Sequence, residues 1–454
     1  MKKLLSLFIL MHLSMLVSAN DGDTFSAETI EGILLKYTVI SESEKTCMVG
    51  FQYEWPVPTS YSSASRVSKA PNSQISGDIT IPEEANGYSV IHIEDYAFTQ
   101  TAITSVFIPN TVKTIGIGAF EGCPDLKSVR LPEQIMKIEY YTFHRCEKLT
   151  SINIPEGVTY IGNNAFASCK QLEELAIPSN VEHFGEGVFG NTGFTSLPKL
   201  PESLTTIAKN MFYGCTKLTS IEIPKNITSI GDCAFGQCPI SEIEIPASVT
   251  HIGVAAFANC TNLASILIPD NVTEIGMNAF RGCSNLKIVK LSNSVTSLND
   301  GIFSECSNLE SIDIPNGVKS IGKDAFMYCS SLSSINLPET LEEIAEHAFY
   351  GCSSLTQLFL PKSFVRFKID KSGNDWSYLY RSFICGCTSL TSIVVDKDNP
   401  VFDSRDNCNA IIETASNTLV AGCITTRIPE GITTIGLWAF GGFQDLTSIT
   451  LPHS

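Results

Sequence analysis

Cysteine is the residue type best able to do chemistry in this chain, and ten of its sixteen cysteines keep one spacing. Cys123, Cys146, Cys169, Cys215, Cys238, Cys260, Cys283, Cys306, Cys329 and Cys352 each stand three residues after a phenylalanine. Thiols so placed could hold a metal cluster, or close disulfides in an exported chain. A third use is packing: Thr101, Thr192 and Phe443 fill the same place with no such bonding role, and a free thiol is a small, favourable core group. A reduced packing row is the expectation. Strands about 4.8 Å apart would also let neighbouring thiols bridge, so disulfides are the competing account. Cys408 and Cys423 differ, because they flank NAIIETASNTLVAG, which reads as a hairpin with its loop at Thr414 to Asn417. Pairing Glu413 with Thr418 sets Cys408 opposite Cys423 as a candidate disulfide. Cys47, Cys233, Cys385 and Cys387 have no assignable partner.

Other reactive side chains are scattered. His92, His183 and His251 share one phase of the repeat with Thr114, Tyr160, Ser229 and Glu274, a solvent-facing position of free choice. Asp396, Asp398, Asn399, Asp403 and Asp406 suggest calcium, but they lack the glycine and terminal glutamate of a loop site, and turn formation is the simpler account. No serine elbow, phosphate loop, zinc motif or paired carboxylate stands out. The expectation is therefore no catalytic residues, no metal site, no cofactor and no enzyme.

What positions the cysteine row is a repeat. Phe98, Phe120, Phe143, Phe166, Phe189, Phe212, Phe235, Phe257, Phe280, Phe303, Phe326 and Phe349 are separated by 22 or 23 residues, and Phe383 and Phe440 add two copies at longer intervals. In LTSINIP, Ile152 and Ile154 alternate with Ser151 and Asn153, the pattern of a strand with one buried face. Pro155 then ends the strand, having no N–H to donate. VTYIG makes a second short extended run, and NNAFASC turns the chain with Phe166 inward. Burying one such ring contributes about 1.5–3 kcal/mol, too little to offset ordering its own coil. Only stacking makes a coil stable. A period of 20 to 29 residues with this strand motif predicts an α/β leucine-rich-repeat solenoid. Its right-handed coils of 22–23 residues should place a parallel β-sheet on one face and short turns or helical pieces opposite.

Segment boundaries follow. Residues 1–19, MKKLLSLFILMHLSMLVSA, read as a signal peptide, since the apolar run is too short to cross a bilayer. Residues 20–80 form a β-rich N-terminal cap and linker, which a solenoid needs over its first coil. Regular coils span 81–361, and 362–454 continue the solenoid with two insertions and the proposed hairpin. Forty-seven acidic against thirty basic residues give a net charge of −17, which disfavours nucleic acid. No later segment is apolar enough to span a membrane, and a secreted or cell-surface monomer is expected.

The spacing IPxxVTxIGxxAFxxCxxLxxIxI resembles the BspA-like leucine-rich-repeat family, from about Ser76 onward. The NAIIETASNTLVAGC segment also looks like an extended coil of that family. The resemblance implies a surface or secreted protein, with adhesion to host matrix proteins or to other cells as the implied activity.

Three functions follow as alternatives: a protein-binding or adhesion module, a structural spacer or display scaffold, and a glycan-binding surface protein. The second outward strand position varies freely, from Phe107 and Arg130 to Leu267 and Phe359, beside inward residues that do not. The insertion near Lys368 to Arg381 gathers Lys371, Asp375, Trp376, Tyr378, Tyr380 and Arg381, types enriched at binding hot spots. With Phe359, these are the candidate partner-binding residues; the competing account has the aromatics covering a break in the core.

Overall fold

The computed structural model describes residues 19–50, 74–368 and 383–451. The chain winds into a parallel β-solenoid of about 13 turns. Most regular coils lay down a long strand, bend after a proline, with Ser292 in its place in one coil, add a two-residue strand, and return through a turn carrying the repeat phenylalanine. The bend is a hydrogen-bonded turn in which the Val158 N–H donates to Pro155 O at 3.0 Å, repeated as Val249 to Pro246 and Val318 to Pro315.

Two ladders result, rather than the single sheet expected. Long strands pair parallel and in register, Ser105 with Ser128 and Ser128 with Ser151, burying Val106 and Val129 on the inner face. Short strands form a second parallel ladder, as in Thr206–Ile207, Ser229–Ile230, His251–Ile252 and Glu274–Ile275. Gly162 is required between them by close approach: a Cβ there would lie 2.5 Å from the Tyr140 ring and 2.8 Å from its backbone nitrogen.

The third side corrects the expectation of helical pieces. Among the described residues there is no α-helix, only a 3₁₀ turn at Arg405–Asn407. Residues two before and two after each repeat phenylalanine from Phe98 to Phe349 take positive φ, as at Gly118 and Gly122, Tyr141 and Arg145, Asn164 and Ser168. A turn with left-handed residues four positions apart cannot continue as an α-helix. It aims alternate N–H groups at the next coil instead. Gly118, Phe120 and Gly122 donate to Tyr140, Thr142 and His144 carbonyls at 2.9, 3.0 and 2.7 Å, while Glu121 bonds back to Gly118 within its own turn. The α/β description therefore gives way to an all-β coil with three hydrogen-bonded sides.

The long ladder is interrupted between Asn153 and Ser220. Pro198 stands where Ile221 points inward one coil later, and it supplies no N–H. At the N-terminus, Thr24–Glu28, Leu34–Ser41 and Thr46–Val49 pair antiparallel, and the last then joins Tyr88–Ile93 in parallel, feeding the short ladder. Near the C-terminus Ala410–Glu413 and Thr418–Gly422 form the hairpin.

Candidate functional site

The cysteine row is buried throughout and its thiols are hydrogen-bond donors. Cys146 Sγ donates to Phe120 O of the preceding coil at 3.1 Å, and that carbonyl also accepts the Cys123 N–H. The same bond recurs from Cys123 to Phe98, Cys260 to Phe235, Cys329 to Phe303 and Cys352 to Phe326, at 3.1–3.2 Å. Each thiol thereby occupies a spare carbonyl lone pair that burial would otherwise leave unmet. Burial pushes the Cys283 thiol up to about 12 and holds Cys260, Cys306, Cys329 and Cys352 well above the ordinary 9.0, so these groups are protonated and unreactive. Thr101 and Thr192 put a hydroxyl in the same place, each donating to the carbonyl of its own coil's phenylalanine. Cys387 joins the row by donating to Phe349 at 3.2 Å. It escapes the sequence spacing because it lies four residues, not three, after Phe383.

The Cys408 to Cys423 disulfide is not made: both are separate buried thiols. The hairpin carries a bulge. Glu413 pairs with Thr418 and Ile412 with Leu419, but Ile411 pairs with Ala421. The extra residue, Val420, moves Cys408 out of opposition to Cys423. Their thiols instead face the Ala410 and Asn409 carbonyls. Nearby acids serve turns and an ion pair. Asp396 accepts the Asp398 N–H, Asn399 donates to the Pro361 and Phe364 carbonyls, and Asp403 holds Arg405 at 2.6 Å. Among the described residues no group of three or more His, Cys, Asp or Glu is gathered as a metal would require. The histidine column is used between coils: His92 bonds Thr114, His183 stacks on Tyr160 at 4.8 Å, and His251 faces Glu274.

What remains exposed and variable is the outward face of the long ladder. Phe107 is covered by the Arg130 guanidinium at 5.1 Å, and a shallow depression lies beside them, lined by Val129, Arg130, Ser151, Ile152 and Asn153. Phe359, the one described member of the candidate partner-binding set, is 42% exposed and in register with Val394, 43% exposed. Lys371, Asp375, Trp376, Tyr378, Tyr380 and Arg381 lie outside the described residues. Leu267 and Ile288 are more exposed still. Following the second outward column alone leaves out Ile288 and passes over Val394 after the insertion; the two-residue alternation of the strand is the signal that adds the first column.

The repeat sequence that builds these coils matches the family model for the BspA type leucine rich repeat region, over residues 91–199, 195–307, 256–372, 300–405 and 420–454. The chain belongs to the BspA-type leucine-rich-repeat family. Among solved structures it is similar to a leucine-rich repeat protein from Bacteroides ovatus, at 27% identity and a TM-score of 0.62, covering 82% of this chain and 95% of that one. It is also similar in fold to a leucine-rich repeat protein from Eubacterium ventriosum, at 20% identity and a TM-score of 0.54, covering 82% and 96%. No curated protein gave a sequence match. Among the described residues of this BspA-type chain, no helix is long and apolar enough to cross a membrane.

Proposed function

We propose that this BspA-type protein is a non-catalytic binding module, exported by residues 1–19 and acting outside the cell or on its surface. Its outward long-strand face would engage a protein or cell-surface ligand, with host matrix proteins the first class to test. One observation carries the reading. Inner positions of the long strands repeat aliphatic residues, whereas the outer positions vary, with Phe107, Arg130, Glu222, Leu267, Lys290 and Phe359 among them. A coil stacks with any of these, so the variety is free to serve recognition. The insertion residues Lys371, Asp375, Trp376, Tyr378, Tyr380 and Arg381 belong to the same proposal as a second contact region.

The test is a binding screen of the chain from Asn20 onward against immobilised matrix proteins, whole cells and glycans. Binding that falls with Phe359→Ser or with Trp376→Ala at unchanged melting temperature supports recognition. Failure to bind any surface favours the spacer role, and binding of glycans alone favours the carbohydrate alternative. Export is checked separately, by finding a mature N-terminus at Asn20 in the culture medium or on the cell surface.

A further inference from the structure

The copies of the repeat act as internal controls for what a coil requires at each outward position. At the first of the two, the chain uses serine in Ser105, Ser128, Ser151, Ser220, Ser265, Ser311, Ser334 and Ser392. Glu174, Leu197, Glu242, Ile288 and Gln357 depart from this; of these, Glu242 and Ile288 lie two coils apart within one run of long strands, and Leu267 occupies the second position on the coil between them. Ile288 is 66% exposed and Leu267 57%. Side chains left so open return little of their transfer free energy to folding, and serine coils stack in the same register without them.

A second departure adjoins the first. Glu222 and Glu244 lie directly opposite each other on paired strands, where like charges are destabilising, and Glu242 stands on the same strand as Glu244. Among the described residues none of the three makes an ion pair. On the far flank, Lys290 is in register with Asp313 and so is matched within the ladder. The face therefore carries an unmatched acidic end followed by an exposed apolar end, and neither feature helps the coils to stack.

We propose that the outward face from Glu222 to Ile288 docks an extended basic segment of a partner protein, with cations over Glu222, Glu242 and Glu244 and a following apolar side chain over Leu267 and Ile288. This rests on the reading of the long-strand face as a binding surface and names the chemistry of its partner. Four coils at about 4.8 Å spacing cover about 15 Å along the solenoid, the reach of roughly five extended residues. Charge complementarity selects a basic segment. The apolar end distinguishes a peptide from a diffuse cation, which would gain nothing from Ile288.

The probe is a labelled, end-blocked peptide of three lysines followed by leucine and isoleucine, compared with the same peptide ending in two serines, by fluorescence anisotropy. The wild-type chain should bind the first more tightly. Glu222→Gln with Glu244→Gln should weaken binding about tenfold, or about 1.4 kcal/mol, and raised salt should weaken it too. Ile288→Ser should abolish the preference for the apolar ending. Because serine is what other coils use there, melting should be unchanged. Equal binding of both peptides, unaltered binding by these variants, or no binding at all overturns the proposal. If matrix proteins still bind and Phe359→Ser still reduces that binding, the face reading stands and only this patch falls. Loss of matrix binding through both Phe359→Ser and Ile288→Ser, with peptide binding retained by the wild type, supports both.

Discussion

The coils from Phe98 to Phe349 and those after the first insertion use the same residues with different success. In the first region successive rings are near parallel, as in Phe98 with Phe120 at 5.2 Å and 3°, or Phe257 with Phe280 at 5.6 Å and 4°. Phe349 meets Phe383 edge-on at 6.3 Å and 68°, and Phe364, Phe367, Phe383 and Phe402 then pack at mixed angles. The core also divides there, leaving a small separate cluster of Cys408, Ala410, Ile412, Leu419, Ile428 and Ala439. Periodicity is thus what lets one coil complete the next one's hydrogen bonds and ring contacts. Where the phase slips, local devices such as the hairpin and the Asp403–Arg405 pair take over.

The strongest way to break this comparison is alkaline pH. Burial raises the folded-state values of Cys260, Cys283, Cys306, Cys329 and Cys352 above the ordinary 9.0. A raised value stabilises the fold fully below pH 9 and is lost as pH climbs towards the folded value, because only the unfolded chain then gives up protons. Each such thiol costs about 1.4 kcal/mol per pH unit in that window. Denaturant titrations at pH 7.5 and 10, about 2.5 units apart, should show a loss of several kcal/mol, concentrated in the regular coils by hydrogen exchange. An unchanged midpoint would mean that the thiols are not buried donors.

Next in size is the ring row. Phe235→Ala should cost about 3–5 kcal/mol, as for other buried aromatics. The half-buried Phe440 should cost less than about half of that on truncation. Equal losses in chemical denaturation would erase the distinction between the regions. Arg405→Ala removes a partly buried guanidinium that holds both Asp403 and Asn417, and should destabilise the C-terminal region by about 1 kcal/mol after allowance for solvent screening. The Arg405 hydrogen bonds keep the Asp403 carboxyl below its ordinary range against the opposing effect of burial. That contribution is present above about pH 4 and fades as pH falls further. Smallest is Ile288→Ser, expected to stay within about 0.5 kcal/mol of wild type by thermal melting.

Much of the regular region was legible from its letters, because period-2 alternation and a fixed turn to Phe and Cys leave little choice of inner face. For the third side the letters left turns and helical pieces both open, and turns are what form. Alanine and phenylalanine in AF allow a helix, and no local propensity announces that Tyr141 and Arg145 take positive φ. Bonding to the neighbouring coil outweighs their intrinsic preference. The hairpin was legible from its polar loop, but the bulge at Val420 was not, since one extra residue leaves the sequence pattern almost unchanged.

By itself the sequence determined which side chains face inward and that coils must stack, because a single coil cannot bury enough surface to stay ordered. It also set the phase of the thiol row and the proline that ends most of the long strands. Only the tertiary structure decided where each thiol proton goes, since the Phe120 carbonyl that receives Cys146 belongs to the preceding coil. The same holds for the outward face. Glu222 and Glu244 are 22 residues apart along the chain and become direct neighbours only through parallel register. Distance along a repeat is set by its period, but contact across it is set by hydrogen bonding between coils.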